Sequence, residues 1–367
     1  MAFLKRIGFF CAFIIPATTV AGYLAGGVFN WSTIIFVFVI IPMLDQLVGK
    51  DPYNLPRDEM KSVSRQRYYR FILFTWVYVQ YALIIWGAWV VASGTLSGSL
   101  AYAGFVISIG LATGGVGITV AHELGHKHNP LEKLYAKLLL MSVCYMHFYI
   151  EHNRGHHVHV ATPEDAATAR YGETVYGFWF RSVTGCYQHA WKLENRRLQK
   201  SGRSPWHLQN EMIWFSILPI LFCLLLTAAI SFAAGRLTWE VVPYFFLQSL
   251  VAFTLLEAVN YIEHYGLVRN QSEEGRYERV QNIHSWNANH LISNFFLFQL
   301  QRHSDHHVHA TRPYQVLQHY DESPQLPTGY AGMIVLAFFP PLWFSLMNKR
   351  LHHWKEKHNR MDHASAL

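Results

Sequence analysis

The chain has 367 residues, of which 51% are hydrophobic and 14% are charged, and its formal net charge is +7. Long apolar stretches indicate a membrane protein, although much of the chain remains polar and rich in aromatic residues. The basic residues accompany no nucleic-acid recognition motif, so we expect no nucleic-acid partner. Four cysteines without a CxxC pair predict neither a disulfide framework nor a zinc ribbon.

Six stretches approach the length of about 20 apolar residues that a helix needs to cross a bilayer. They are residues 8–27, 31–49, 71–93, 99–121, 211–234 and 241–262. We therefore expect an all-α integral membrane protein with a single domain over residues 1–367. The first stretch also resembles a signal peptide, because Lys5 and Arg6 precede it and small residues follow. Since it is long for a cleaved signal and a second stretch follows at once, we interpret it as a retained helix.

The basic residues predict the orientation in the membrane. If the N-terminus is inside, the outer turns are about residues 28–30, 94–98 and 235–240, and among these only Arg236 is basic. The positive-inside rule then places both termini on the cytoplasmic side, together with the polar segments 122–210 and 263–345. This basic face could contact anionic lipid or an acidic protein partner.

Nine histidines lie in four tight groups at or beyond the inner ends of the fourth and sixth stretches. The groups are HELGHK, EHNRGHH, NYIEHYGL and LQRHSDHH, and each contains a carboxylate. The nine residues are His122, His126, His152, His156, His157, His264, His303, His306 and His307. Neutral imidazole is the commonest metal ligand, and a spacing of three or four residues puts two rings on one helical face. The pattern predicts a metal centre with more than one ion.

The spacing also predicts how the rings are shared. We expect His152 and His156 to lie on one face, and His157, rotated by about 100°, to reach a second ion. Two ions would then share the nine rings as four and five. Iron suits imidazole ligation and can activate dioxygen. The alternative is a zinc protease, because HELGH is present literally and Glu123 would be its general base. That alternative leaves seven clustered histidines without a role.

Metal-bound imidazoles usually donate their other N–H to a carboxylate or carbonyl. Candidates for this supporting role are Glu123, Glu151, Asp165, Glu263, Glu278 and Asp305. Weaker candidates are Asn153, Glu257 and Asn260, of which Glu257 is notable because an acid inside a membrane span is costly without a partner.

Two further apolar stretches test the span count. If residues 134–150 crossed the membrane, HELGHK and EHNRGHH would lie on opposite sides, so we predict a helix packed within the metal domain or at the interface. Residues 331–347 are interrupted by Pro340 and Pro341, and we expect an interfacial or re-entrant segment there. The polar segment 267–285 is expected to be a surface loop that folds back over the site.

At its four motifs the sequence resembles the integral-membrane, rubredoxin-dependent alkane 1-monooxygenases. The intervening stretches ATPEDAATAR and GRYERVQNIHSWNAN also match, and the resemblance covers about residues 40–345. It implies a six-helix domain capped by a cytoplasmic di-iron site, in the inner membrane of a bacterium, with the nine histidines as ligands of two non-haem iron ions. It implies terminal hydroxylation of a straight-chain alkane to a primary alcohol with dioxygen. The two electrons would come from a separate rubredoxin, reduced by an NAD(P)H-dependent rubredoxin reductase.

An alkane would enter from the bilayer through a narrow channel between helices. We expect its walls to be the apolar faces of the second, third, fourth and sixth stretches, with Val37 and Phe38 setting its depth. Two kinds of alternative remain open. One is another oxidation on the same scaffold, such as aryl-methyl hydroxylation or fatty acyl desaturation. The other is a membrane metal-binding or transport protein, although transport would place ligands near the midplane of the membrane.

Overall fold

The computed structural model describes the backbone of residues 2–365 and the side chains of residues 5–357. These described residues include six helices that are long and apolar enough to cross a membrane, which confirms the predicted count. They are span 1 (Lys5–Ala25), span 2 (Gly27–Val48), span 3 (Arg67–Ala92), span 4 (Gly98–Gly125), span 5 (Glu211–Ala234) and span 6 (Val241–His264). Spans 1 to 4 begin one to four residues before the predicted positions, and in spans 1 and 3 the helix continues into basic residues beside the apolar stretch. The described residues form no β-strand, only isolated bridges.

Spans 4 and 6 form the centre of the bundle. They approach closely because Gly110 and Gly114 present no side chain to span 6. Span 3 packs on one side of this pair, and its Gln80 amide donates a hydrogen bond at 2.8 Å to Ser142 Oγ, in the segment that follows span 4. This arrangement brings the C-terminal ends of spans 4 and 6, which carry the first and third histidine motifs, side by side.

Neither ambiguous stretch forms a continuous span. The helix Pro130–Met141 ends before residue 142 and packs with Leu139 and Leu140 buried. The chain then turns before the short helix Phe148–Glu151. The other stretch divides into Tyr330–Ala337 and Pro340–Ser365, and this confirms the predicted interruption. Proline at residue 340 starts the second helix, where its missing N–H has no helical partner to lose.

Four further helices of the described residues lie outside the six spans: Arg57–Ser64, Val175–Gln199, Leu291–Phe296 and His303–Val308. Shorter helical turns are His152–His156, His157–His159 and Tyr314–Val316. The buried Arg302 guanidinium, next to the His303–Val308 helix, donates hydrogen bonds to the Leu317 carbonyl at 2.7 Å and to Asp51 Oδ2 at 3.2 Å. The link between spans 2 and 3 therefore holds the start of the last histidine helix. The 267–285 segment folds back, as Arg269 N–H donates to the Ala161 carbonyl at 2.8 Å.

Candidate metal centre

All nine sequence-predicted histidines lie together at or beyond the C-terminal ends of spans 4 and 6. Eight rings are buried, and His157 is half-buried. They form two groups in which the candidate ligand atoms lie within 4.8 Å of one another. The five-ring group is His122, His126, His152, His157 and His306, and the four-ring group is His156, His264, His303 and His307. The division into five and four is the one expected from the motifs.

One detail of the expected sharing is wrong. His152 belongs with His157 in the five-ring group, whereas His156 belongs to the four-ring group. The reason is local: residues 152–156 form a π-helical turn. A π-helix bonds residue i to residue i+5, so rings five residues apart share a face. In the last motif the helix is regular, and His303 pairs with His307 while His306 faces the other group.

The spacing of the ring nitrogens fits metal ions. The Nε2 atom of His152 lies 3.1 Å from Nε2 of both His126 and His157. In the other group, Nε2 of His303 lies 2.9 Å from that of His307 and 3.2 Å from that of His264. Metal–imidazole bonds are about 2.0–2.1 Å for zinc, so two adjacent ligands on an ion of that size stand roughly 3 Å apart.

Two further atoms also indicate bound ions. The Nε2 atoms of His122 and His156 are buried and have no hydrogen-bond partner. A buried polar atom without a partner is costly, and a metal ion in each group would satisfy it. The donor set, imidazole with nearby carboxylate, is one that iron accepts. These residues therefore fit a pair of metal ions.

Protonation of the rings is compatible with ligation. Burial lowers the pKa of His152, His157 and His306, and neighbouring histidines lower it further. These imidazoles are therefore neutral near pH 7, with a lone pair to offer a metal.

Two of the predicted carboxylates contact the rings, on different sides. Asp165 Oδ2 accepts a hydrogen bond from His156 Nδ1 at 2.9 Å, the outer nitrogen of that ring. Glu263 Oε2 instead lies 3.1 Å from His303 Nε2, the nitrogen that faces the other rings. Glu263 could therefore contact the same ion as the four-ring group, whereas Asp165 orients a ring from behind.

The other four carboxylates contact groups outside the two ring clusters. Glu123 pairs with Lys127 at 2.7 Å, and Glu151 Oε1 lies 3.1 Å from His189 Nδ1. Glu278 lies in the 267–285 segment, near His284. The buried Asp305 pairs with Arg312 and accepts from the Gln318 N–H, which fixes the loop after the last histidine helix.

An apolar cavity ends at the histidine rings. His122, His152 and His303 form its inner end, and Val37 and Phe38 line its wall as expected. Spans 2, 4 and 6 contribute to the wall, but span 3 does not, because it packs behind span 4. The missing wall comes from residues 293–300, from residues 330–334 and from Ile15 of span 1. These pieces are far apart in sequence, and the motifs carry no indication that they meet.

The spacing of the histidine motifs did not predict a second set of polar residues behind the rings. His147, which stands outside the motifs, is buried, and its side chain lines a small polar cavity with Tyr145 and Glu257. The one indication in the sequence was Glu257, an acid within a span.

Comparison with known proteins agrees with this geometry. Residues 97–337 match the fatty acid desaturase family. Alkane 1-monooxygenase 2 of Pseudomonas aeruginosa is 48% identical over 88% of this chain and 84% of its own length. Alkane 1-monooxygenase 1 of the same species is 47% identical over 88% of this chain and 82% of its own length. The xylene/toluene monooxygenase hydroxylase component of Pseudomonas putida is more distant, at 27% identity over 94% of this chain and 90% of its own length. The chain belongs to the alkane 1-monooxygenase family.

Proposed function

We propose that this protein hydroxylates the terminal methyl group of a straight-chain alkane to a primary alcohol, with dioxygen as the oxidant. Two non-haem iron ions, held by the nine histidines, would supply the activation of dioxygen. The names of the two Pseudomonas aeruginosa relatives support the reaction. We further propose that residues 1–367 act as a single membrane hydroxylase domain.

The observation that carries the proposal is the apolar cavity that ends at rings of both histidine groups. His122 and His152 belong to one group and His303 to the other. Along span 4 the lining runs from His122 back to Leu111, roughly 16 Å at 1.5 Å per residue. Such a cavity binds an alkyl chain lengthwise and presents its end carbon to the site. Orientation is the protein's main task, because terminal C–H bonds are stronger than the neighbouring methylene C–H bonds.

The electron donor in this proposal is a rubredoxin, reduced by an NAD(P)H-dependent reductase. A basic recess next to His126 supports this partner. Arg65, Arg67, Arg70 and Lys127 line it together with Glu123 and Glu132, which pair with Lys127 and Arg70, so two of the four basic side chains have no carboxylate partner among the described residues of the recess. His126 of the five-ring group also lines it. A small acidic carrier protein would be attracted to this surface, and attraction of this kind weakens at high salt.

We propose that the protein lies in the bacterial inner membrane with both termini and the metal site on the cytoplasmic side. The distribution of basic residues supports this orientation. The six spans support it too, since an even number returns both ends of the chain to one side.

Product analysis in cells tests the function. Cells expressing this chain with a rubredoxin and its reductase are given octane, dodecane or hexadecane, and alcohols are measured by gas chromatography. We expect primary alcohols that disappear without rubredoxin and with His264→Ala, and that persist with His353→Ala, a change at an exposed histidine. Absence of alcohol from protein that retains two irons would exclude alkane as the substrate.

A second candidate is hydroxylation of an aryl methyl group. The xylene/toluene monooxygenase relative favours it, at lower identity than the alkane 1-monooxygenases. Toluene is therefore supplied in a parallel culture. Benzyl alcohol without any alkanol would support this second function over the first.

A further inference from the structure

A second, polar cavity lies behind the histidine rings. At about 10 Å³ it has room for a single water molecule. Besides His152 and His156 of the two ring groups, the polar side chains that line it are Tyr145, His147, Glu151, Cys186, Glu257 and Asn260.

The cavity adjoins both the metal site and the substrate cavity. His152 of the five-ring group and His156 of the four-ring group form part of its wall. Phe148, His152 and Asn260 line both cavities. A water molecule here would therefore be separated from the reacting end of the alkane by a single layer of side chains.

Glu257 is the acid of this cavity. It is buried in span 6, where Tyr145 Oη donates to its Oε1 at 2.7 Å and Asn260 Nδ2 lies 3.4 Å from its Oε2. Among the side chains that the structure describes, no lysine or arginine pairs with it. A buried carboxylate without a cationic partner is costly even when neutral groups donate to it, so this environment favours the neutral acid, which carries a proton to give.

His147 offers an unfilled position for the water molecule. Its Nε2 is buried without a hydrogen-bond partner, and its side chain lines the same cavity. Burial lowers the pKa of His147 to about 3, so the ring is neutral. A water molecule that contacts His147, Glu257 and Asn260 would have the two to four polar partners that buried water requires.

We propose that this cavity holds one water molecule that, together with Glu257, delivers protons to the metal site during turnover. The inference rests on the proposed function. Alkane, dioxygen, two electrons and two protons give alcohol and water; the electrons come from the carrier protein. A proton passes from the Glu257 carboxyl to the water, and from there past Asn260, which lines both cavities, to the reduced oxygen. The Val175–Gln199 helix contributes Cys186 to the wall of this cavity. Its His189, whose side chain is 20% exposed, contacts Glu151 of the same cavity, and this is the side from which protons return.

Infrared spectroscopy of the iron-free protein tests the acid without any turnover. A neutral carboxylic acid gives a carbonyl band that shifts in deuterium oxide. We expect Glu257→Gln to remove one such band. Tyr145→Phe should shift it, because the hydrogen bond at 2.7 Å is lost. Tyr244→Phe is the matched control, since this buried phenol donates to the Ile84 carbonyl instead. A spectrum with no band lost in Glu257→Gln and none shifted in Tyr145→Phe overturns the proposal.

The share of electrons that ends in alcohol rather than in hydrogen peroxide tests the delivery of protons. Because proton transfer by a positioned group contributes about 100-fold or more to a rate, we expect Glu257→Gln to lower alcohol formation by about that factor, with iron content unchanged. Hydrogen peroxide released per alcohol should rise in this variant and in Tyr145→Phe, but not in Tyr244→Phe. Unchanged coupling in both cavity variants overturns the inference. Absence of alcohol from the unmodified protein would instead refute the proposed function, and the infrared result would still decide the state of Glu257.

Discussion

At the scale of single residues, the orientation of His156 depends on one carboxylate. Asp165 Oδ2 accepts from His156 Nδ1 at 2.9 Å and from Thr168 Oγ1 at 2.6 Å, and its other oxygen accepts from the Ala167 N–H at 3.0 Å. Burial by itself lowers the pKa of His156, but the charge of Asp165 outweighs burial and raises it overall. With Nδ1 donating outward, the Nε2 lone pair faces the four-ring group.

Replacement of Asp165 tests this orientation. Asp165→Asn keeps the size of the side chain but can turn an amide N–H towards His156. We expect the affinity for iron to fall by 10–100-fold, the range found when such supporting partners are lost. Iron retention during titration with a chelator measures it. Glu164→Gln is the control, because Glu164 is largely exposed and contacts His159. Equal retention in the two variants would contradict the role of Asp165.

The depth of the apolar cavity is tested at Val37. We expect Val37→Trp to fill the part of the cavity farthest from the rings, so that long alkanes no longer fit. Overpacking costs about 1–3 kcal/mol, so hexadecane conversion should fall about tenfold or more relative to octane. Val39→Trp is the control, because Val39 points away from the cavity and is 47% exposed. A chain-length profile that is the same in Val37→Trp and in the unmodified protein would contradict this role.

At the scale of elements, the contact between spans 4 and 6 requires glycine. A Cβ atom added at Gly114 would lie 2.6 Å from the Ala252 Cα, which is backbone and cannot move aside. At Gly115 the nearest atom is a Leu255 methyl carbon at 3.3 Å, the end of a flexible side chain. The two glycines are neighbours, but only one of them is in contact with the facing backbone.

We therefore expect Gly114→Ala to lower the free energy of unfolding by about 1–3 kcal/mol, as overpacking does, and Gly115→Ala to change it much less. Because span 4 carries His122 near its C-terminal end, displacement of the span should also reduce bound iron. Thermal unfolding in detergent and metal analysis measure the two effects. Equal stability of the two variants would contradict the requirement for glycine at residue 114, because spans 4 and 6 could then move apart without a loss of stability.

The junction between the Val175–Gln199 helix and span 5 predicts a pH dependence. Burial raises the pKa of Glu194, but hydrogen bonds from Arg197 and from the Glu211 N–H outweigh burial and leave the pKa below its ordinary value of 4.5. Such a group stabilises the fold above the unfolded pKa, and its contribution is lost as the pH falls through the folded pKa. It joins the two helices because the Glu194 carboxylate accepts from the first turn of span 5.

We expect Glu194→Gln to be less stable by roughly 1–2 kcal/mol at neutral pH, since hydrogen bonds to a charged group are lost. Below pH 4.5 the difference from the unmodified protein should shrink, because the carboxyl is then increasingly protonated in both states. Thermal unfolding at a series of pH values measures this. A difference that stays constant with pH would mean that the carboxylate charge does not contribute.

At the scale of the whole molecule, two adjacent residues serve different halves of the site. His306 belongs to the five-ring group and His307 to the four-ring group. We expect two irons per unmodified chain, and about one after either His306→Ala or His307→Ala. Metal analysis gives the number, and Mössbauer spectra should show that the two variants keep different sites. Identical spectra for the two variants would contradict the division.

The spans and the histidine motifs could be predicted because each depends on local composition or spacing. The sharing of His156 and His157 could not, because it depends on a π-helical turn within the motif. The cavity wall was missed where it comes from residues 330–334, since a contact between distant segments leaves no local pattern. The same reason explains why the spacing gave no indication of His147.

The asymmetry of the apolar cavity affects what happens to the product. The end near Leu111 and Phe38 is lined by hydrocarbon, whereas the other end meets the imidazoles. A second oxidation requires the alcohol to bind again with its methyl group at the imidazoles. Its hydroxyl group would then be buried at the apolar end of the cavity without a hydrogen-bond partner. Burial of that kind costs about 1–3 kcal/mol by protein mutational data. Oxidation at both ends of one molecule is therefore disfavoured, and mono-alcohols rather than α,ω-diols should accumulate and partition back into the lipid.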